Sequence, residues 1–275
     1  EICKYGFHFA KRLNTHIVFL HAYLTPAYTI SSASNTEINT YSLTDAETLR
    51  RIIRTNRADV ENLTNLINQW INNGDIPKID FRFELKEGVP EDEILAYCKK
   101  ESPALVLMGT RGKSNRNENV IGSVTAEVLE SCKVPVMAIS QDTKLQPQDI
   151  GRIAFLTNFD QKDLIAIDTA ISFFKKKNLE LVFIHATEKK ESWDEVMLAG
   201  IKSYFANHYP TIKTEYAFLK KDGSMDQIQP FLEASKIDLV ALNTKKRSLF
   251  ARFFNQGFAT KLLFNVDTPL LVMHK

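Results

Sequence analysis

Short apolar runs alternate with segments of helical periodicity along this chain. Residues 104–108 form a run with the length of a buried strand, and residues 124–129 repeat apolar positions at helical spacing. Further strand-like runs lie at 152–158, 179–186, 213–219, 238–242 and 269–274. Strands that alternate with helices predict a parallel sheet with helices on both faces. The pattern therefore indicates an α/β fold.

The chain also contains an internal repeat. Residues 9–22 align with residues 173–186, and both segments end in an apolar run followed by His-Ala. The simplest interpretation is two copies of one domain, at 1–143 and 149–275.

The first copy differs from the second in two ways. It carries an insertion at 24–75, in which we predict a polar loop and a long helix that begins at a capping box, 44–47, and ends at Gly74. Glu1 aligns with Ile165, inside the first helix of the second copy, so the counterpart of the first strand is missing. That strand is central in a doubly wound sheet. We expect native residues to precede Glu1, and a split core without them.

The last strand of each copy, at 134–139 and 269–273, is too apolar for a sheet edge in water. We expect the two strands to pair antiparallel within the chain. This pairing would create a pseudo-dimer, and a further homodimer is left open.

Composition narrows the function classes. The formal net charge is +2 and acids and bases are interspersed, which disfavours a nucleic-acid surface or a polybasic membrane anchor. No apolar run approaches the roughly 20 residues of a transmembrane helix. Cys3, Cys98 and Cys132 are scattered without metal spacing, which indicates reduced core thiols. We expect a cytoplasmic protein that binds neither nucleic acid nor membrane and has no metal site.

One loop carries the strongest chemical signal. Gly109 and Gly112 follow the strand at 104–108, and Gly122 and Ser123 stand further on, where a helix begins. Glycine lets the backbone turn sharply and lets a ligand come close. A helix N-terminus offers unpaired amides and the positive end of the helix dipole. Together these features predict a phosphate-binding loop.

The spacing Gly109-x2-Gly112-x9-Gly122-Ser123 resembles the nucleotide-binding signature of the universal stress protein family. The resemblance covers both copies and is closest to the tandem, bacterial form. It implies two Rossmann-like domains, each with five parallel strands in the order 3-2-1-4-5, and ATP, with or without Mg²⁺, beyond the strand ends. The residues that it implies at the nucleotide are Ala22, Met108, Gly109, Arg111, Gly112, Gly122, Ser123, Val124 and Thr125.

The resemblance also implies a role for each of these residues. The first two glycines would let the loop wrap the ribose and phosphates, and residues 122–124 would offer backbone amides to the phosphates. Ser123 would add its hydroxyl, and Thr125 is a further hydroxyl candidate. Met108 and Ala22 would lie against the adenosine. Two alternatives stay open for Arg111, a phosphate contact or a solvated loop position.

The second copy departs from the signature. Asn243 and Lys246 replace the first two glycines, and Phe250, Phe253 and Phe254 crowd the loop that follows. Asn158 stands where the family has an aspartate. A lysine in a left-handed conformation costs about 1–2 kcal/mol, and its side chain would block the ligand. We therefore predict that the second copy binds no nucleotide.

Three functions remain possible from the sequence. The first is a stress-response protein that binds ATP as a regulatory ligand in its N-terminal domain. The second is a weak ATPase on the same scaffold, and the third is a nucleotide-free module that binds an unknown protein partner. His21 and His185 end equivalent strands, but neither has an evident carboxylate or nucleophile beside it in the sequence. No catalytic residue is predicted.

Overall fold

The computed structural model describes residues 2–25, 46–110, 122–140, 143, 147–157, 161–174, 178–187, 192–220, 230–244 and 268–274. The contacts divide the chain into two compact units. One unit is Cys3–Glu101, and the other combines Glu1–Ile2 with Ser102–Lys275. The division falls at a different place from the repeat boundary at 143–149, which describes a duplication in the sequence and stays a prediction.

The unit Cys3–Glu101 contains a two-stranded parallel sheet. Strand β1 pairs with β2 from Ile17 opposite Phe81 to Tyr23 opposite Glu87. Phe7, Ile67 and Ile76 form a buried cluster beneath it. The elements are α1 (Ile2–Leu13), β1 (Ile17–Tyr23), α2 (Ala46–Asn72), β2 (Phe81–Glu87) and α3 (Pro90–Glu101).

Helix α2 ends as the sequence predicts. Gly74 adopts φ 78°, a left-handed conformation that favours glycine. Its amide donates to the Ile71 carbonyl, and the Asp75 amide donates to the Trp70 carbonyl at 2.9 Å. These two bonds form a Schellman motif. The predicted capping box at the start of α2 includes residues outside the described part of the chain.

The second unit is built on a seven-stranded sheet in the order β3-β4-β9-β8-β5-β6-β7. All neighbouring strands are parallel except β4 and β9. The strands are β3 (Val106–Gly109), β4 (Val136–Ile139), β5 (Arg152–Leu156), β6 (Glu180–Thr187), β7 (Lys213–Lys220), β8 (Leu239–Thr244) and β9 (Leu270–His274). The helices are α4 (Ser123–Ser131), α5 (Gln161–Phe173) and α6 (Ser192–His208), with a short helical segment at 230–234.

Strands β4 and β9 pair antiparallel, as the apolar-edge argument predicted. Met137 lies opposite Leu271, and Val136 lies opposite Val272. All four side chains are fully buried. The pairing therefore removes two hydrophobic edges that would otherwise face water or another chain.

The expected five-stranded N-terminal sheet is not formed by the described residues. Strands β1 and β2 make their own sheet, whereas β3 and β4 extend the sheet of the C-terminal half. In that half β5 pairs with both β6 and β8 and so joins the two sides. The described N-terminal residues include no counterpart of β5. The described strands of the N-terminal half are thus divided between two sheets, and the tandem strand order is not confirmed.

Candidate functional site at the start of helix α4

Backbone hydrogen bonds join the two ends of the predicted phosphate loop. Strand β3 lies parallel to β4. The pairing extends to Thr110, the residue after β3, whose amide donates to the Ile139 carbonyl at 3.0 Å. The Gly122 amide then donates to the Thr110 carbonyl, also at 3.0 Å. The residue that precedes α4 is therefore held directly beside the residue that follows β3.

A side-chain bond reinforces this junction. The buried Thr125 hydroxyl, in the first turn of α4, donates to the Gly109 carbonyl oxygen at 2.8 Å. The bond places the first turn of the helix against the end of the strand. It also engages the hydroxyl proton of Thr125, which the family resemblance made a candidate for the phosphates.

Three amides at the start of α4 have no partner among the described residues. The first helical bond runs from the Ala126 amide to the Gly122 carbonyl, and no side chain caps the helix. The amides of Ser123, Val124 and Thr125 therefore lack helical acceptors. Together with the positive end of the helix dipole, they can bind an anion.

The glycines of this junction have ordinary backbone conformations. Gly122 adopts φ −59° and ψ 140°, which any residue can adopt. Among the described glycines, positive φ values occur at Gly74 and Gly88. Gly109 lies within strand β3, opposite Ile139, so the sharp turn expected at the strand exit does not occur at this residue, whereas the prediction for Gly122 concerned its amide. What distinguishes them is the missing side chain, which leaves room for close approach of a ligand.

The remaining predicted residues are placed as follows. Met108 is half-buried in β3 opposite Ala138, and Ser123 is exposed. Ala22 lies in β1 opposite Lys86, in the other compact unit. Arg111 and Gly112 lie outside the described residues.

Sequence reasoning missed one polar residue at this junction. Thr110 is only 2% exposed, and its hydroxyl oxygen has no hydrogen-bond partner among the described residues. The only signal in the sequence was its position between the strand and the rest of the loop.

The sequence model of the Universal stress protein family matches residues 1–140, which include this junction. The chain belongs to the universal stress protein family. It is 34% identical over 61 residues to Universal stress protein MJ0531 of Methanocaldococcus jannaschii. It is 32% identical over 66 residues to Universal stress protein MJ0577 of the same organism. Each match covers 22% of this chain but only 36% and 41%, respectively, of these relatives' own length.

Solved structures show the same fold. A universal stress protein from Archaeoglobus fulgidus superposes with a TM-score of 0.68 at 18% identity, over 100% of this chain and 91% of that chain. A functionally unknown protein, PA1789 from Pseudomonas aeruginosa, gives a TM-score of 0.58 at 12% identity, over 99% and 86%. At these identities the likeness concerns the α/β fold alone.

In the C-terminal half of this universal stress protein, side-chain hydrogen bonds link the carboxyl ends of strands β5 and β8. Asp163, in the first turn of α5, is buried. It accepts a bond from the Thr157 hydroxyl at 2.7 Å and one from the Asn243 side-chain amide at 3.1 Å. Thr157 follows β5 and Asn243 lies in β8, so one carboxylate connects the ends of two neighbouring strands.

His185, at the end of β6, extends this network. Its Nδ1 lies 2.8 Å from the Thr157 carbonyl oxygen, to which it donates in the Nδ1–H tautomer. Its Nε2 lies 3.5 Å from a carboxylate oxygen of Asp194 on α6. Both ring nitrogens of His185 thus lie near oxygen atoms, and one of these belongs to the carboxylate of Asp194, a neighbour that was not evident from the sequence. His21, its counterpart on β1, contacts the Asn56 side chain at 2.7 Å.

No grouping of three potential metal ligands and no helix able to cross a membrane occurs in the part of the chain that the structure describes.

Proposed function

We propose that this universal stress protein binds ATP at the junction of β3 and α4 and uses its occupancy as a regulatory signal. The observation that carries the proposal is the set of three amides at residues 123–125, which have no acceptor among the residues that the structure describes. Glycine at the N-cap leaves them accessible, and family membership makes a nucleotide the expected anion. Gly109, Arg111 and Gly112 would complete the loop around the ligand.

Simple energetics support an affinity useful for sensing. A hydrogen bond to a charged acceptor contributes about 1.5–3 kcal/mol. Three such bonds, together with burial of the adenine, are sufficient for a micromolar dissociation constant, which corresponds to about −8 kcal/mol after the cost of association.

We propose that the C-terminal half is a second copy of the domain. This copy has a structural role and binds no nucleotide. Its strand ends already hold the buried carboxylate of Asp163, with donors from Thr157 and Asn243. A triphosphate placed there would meet a negative charge of its own sign. This electrostatic argument is independent of the missing glycines.

Mass spectrometry of freshly purified, denatured protein tests the proposal and separates it from its rivals. We expect about one ATP per chain, and binding of added ATP by the stripped protein in calorimetry. The incubation is run with and without Mg²⁺, and accumulation of ADP or AMP would support the weak ATPase instead. Protein that neither carries nor binds a nucleotide would overturn the proposal and favour a module for a protein partner. Cytoplasmic location stays a prediction, and so does the existence of a protein partner.

A further inference from the structure

The Thr110 hydroxyl is an unusual group for a protein interior. The residue is only 2% exposed, and its Oγ1 atom has no hydrogen-bond partner among the described residues. The large majority of buried hydroxyls have a partner, and each exception calls for an explanation such as strain, a functional role or a bound water or ion. The cost of a buried polar group without a partner is about 1–3 kcal/mol.

The backbone of Thr110 cannot easily move to relieve this cost. Its amide is bonded to Ile139 and its carbonyl to Gly122, both at 3.0 Å. These bonds hold Thr110 between the end of β4 and the residue that caps α4. The backbone of Thr110 is therefore held directly beside Gly122, the residue that precedes the three amides without partners in the described part of the chain.

The neighbouring threonine provides a direct comparison. Thr125 is also buried, but its hydroxyl proton is engaged by the Gly109 carbonyl at 2.8 Å. Of the two buried threonines at this junction, Thr110 is thus the one whose donor is free in the described structure. Phosphate oxygens are acceptors without protons to donate at neutral pH, so a free hydroxyl donor suits them.

We propose that Thr110 is a nucleotide-binding residue whose hydroxyl donates to a phosphate oxygen of the bound nucleotide. The inference rests on the proposed function and adds a contact that the glycine signature does not include. Rotation of χ1 between staggered positions redirects Oγ1 without backbone movement. Because water is excluded at this position, the bond would be stronger than one at the surface.

Two substitutions separate a ligand contact from a purely structural hydroxyl. Thr110→Val keeps the shape of the side chain and removes the donor, whereas Thr110→Ser keeps the donor. We expect Thr110→Val to leave the melting temperature of the nucleotide-free protein unchanged or raised by about 2 °C, since it removes a polar group that has no partner. ATP should bind about tenfold more weakly to this variant. Thr110→Ser should bind ATP within about twofold of the wild type.

Adenosine provides the second readout, because it keeps the base and ribose but has no phosphate. The Thr110→Val substitution should leave adenosine affinity unchanged. An equal loss of affinity for ATP and adenosine would overturn the assignment to a phosphate oxygen.

The matched control is Thr157→Val, which removes a hydroxyl that is bonded to Asp163. It should lower the melting temperature and leave ATP affinity unchanged. If Thr110→Val destabilises the free protein as much as Thr157→Val does, Thr110 is already bonded and the inference fails. Wild-type and Thr110→Val proteins with the same ATP affinity would defeat this inference alone. A wild-type protein that does not bind ATP would defeat the proposed function as well.

Discussion

The hydroxyl of Thr125 donates a 2.8 Å hydrogen bond to the carbonyl oxygen of Gly109. This contact joins the first turn of α4 to the last residue of β3, and the bond between Gly122 and Thr110 lies beside it. The amides at residues 123–125 therefore belong to a helix start that is held in place before any ligand binds. Preorganised donors of this kind bind an anion without the cost of ordering a loop terminus.

Substitution of Gly122 tests the proposed phosphate contact directly. Its φ of −59° suits any residue, so a larger side chain introduces bulk without backbone strain. We expect Gly122→Val to abolish detectable ATP binding in calorimetry and Gly122→Ala to weaken it.

Gly200→Ala is the control for that pair, because Gly200 lies on α6 and a Cβ there meets nothing within 4 Å. It should bind ATP like the wild type. Undiminished affinity in Gly122→Val would show that the nucleotide does not approach this amide.

The carboxylate of Asp163 should be important for stability. Asp163→Ala removes the acceptor of two hydrogen bonds, from Thr157 and Asn243. We expect the free energy of unfolding in urea to fall by about 2–3 kcal/mol. The exposed Asp59 on α2 provides the comparison, and Asp59→Ala should change stability by less than about 0.5 kcal/mol. Equal effects of the two substitutions would contradict a structural role for the network.

Two glycines should respond to alanine in opposite directions. Gly74 has φ 78° at the end of α2, and we expect Gly74→Ala to cost about 1–2 kcal/mol of stability. Gly200 lies inside α6 with open space around it, so Gly200→Ala should stabilise the protein by about 0.5–1 kcal/mol. Urea unfolding of both variants checks the prediction, which fails if Gly74→Ala is neutral.

Stability should depend on pH through His274. Its Nε2 donates to the Leu129 carbonyl at 2.7 Å, and burial holds its pKa below the ordinary value of 6.5. The unfolded chain therefore binds more protons than the folded chain between the two pKa values. Stability is full above pH 6.5 and decreases as the pH falls through this window.

Unfolding of the wild type and His274→Gln, compared at pH 5.5 and pH 8, measures this contribution. We expect the substitution to reduce the loss of stability at the lower pH. An unchanged loss would assign the pH dependence to other groups.

Most of the individual elements could be predicted from the sequence. Residues 152–158 predicted β5, and residues 179–186 predicted β6, each within two residues at either end. Gly74 predicted the end of α2, because a helix often ends at a residue in the left-handed conformation, which glycine adopts most easily. The antiparallel pairing of β4 with β9 followed from the apolar character of two edges.

The candidate site was only partly predictable. Glycine spacing located the start of α4, but the sharp turn expected at the strand exit does not occur at Gly109, which lies within β3. Thr110 and Asp163 were missed, because a threonine after a strand or an aspartate in a first turn is common. Their significance lies in which atoms surround them.

The sequence by itself determined the α/β class, the order of helices and strands, and the glycine-bounded loop before α4. These properties depend on periodicity and turn chemistry, which act between residues close along the chain. Only the tertiary structure decided that β1 and β2 form a separate sheet, that the Thr125 hydroxyl bonds to Gly109, and that the Thr110 hydroxyl has no partner in the described part of the chain. Sheet partners and buried hydrogen bonds depend on residues distant in sequence, so they become defined only when the core packs.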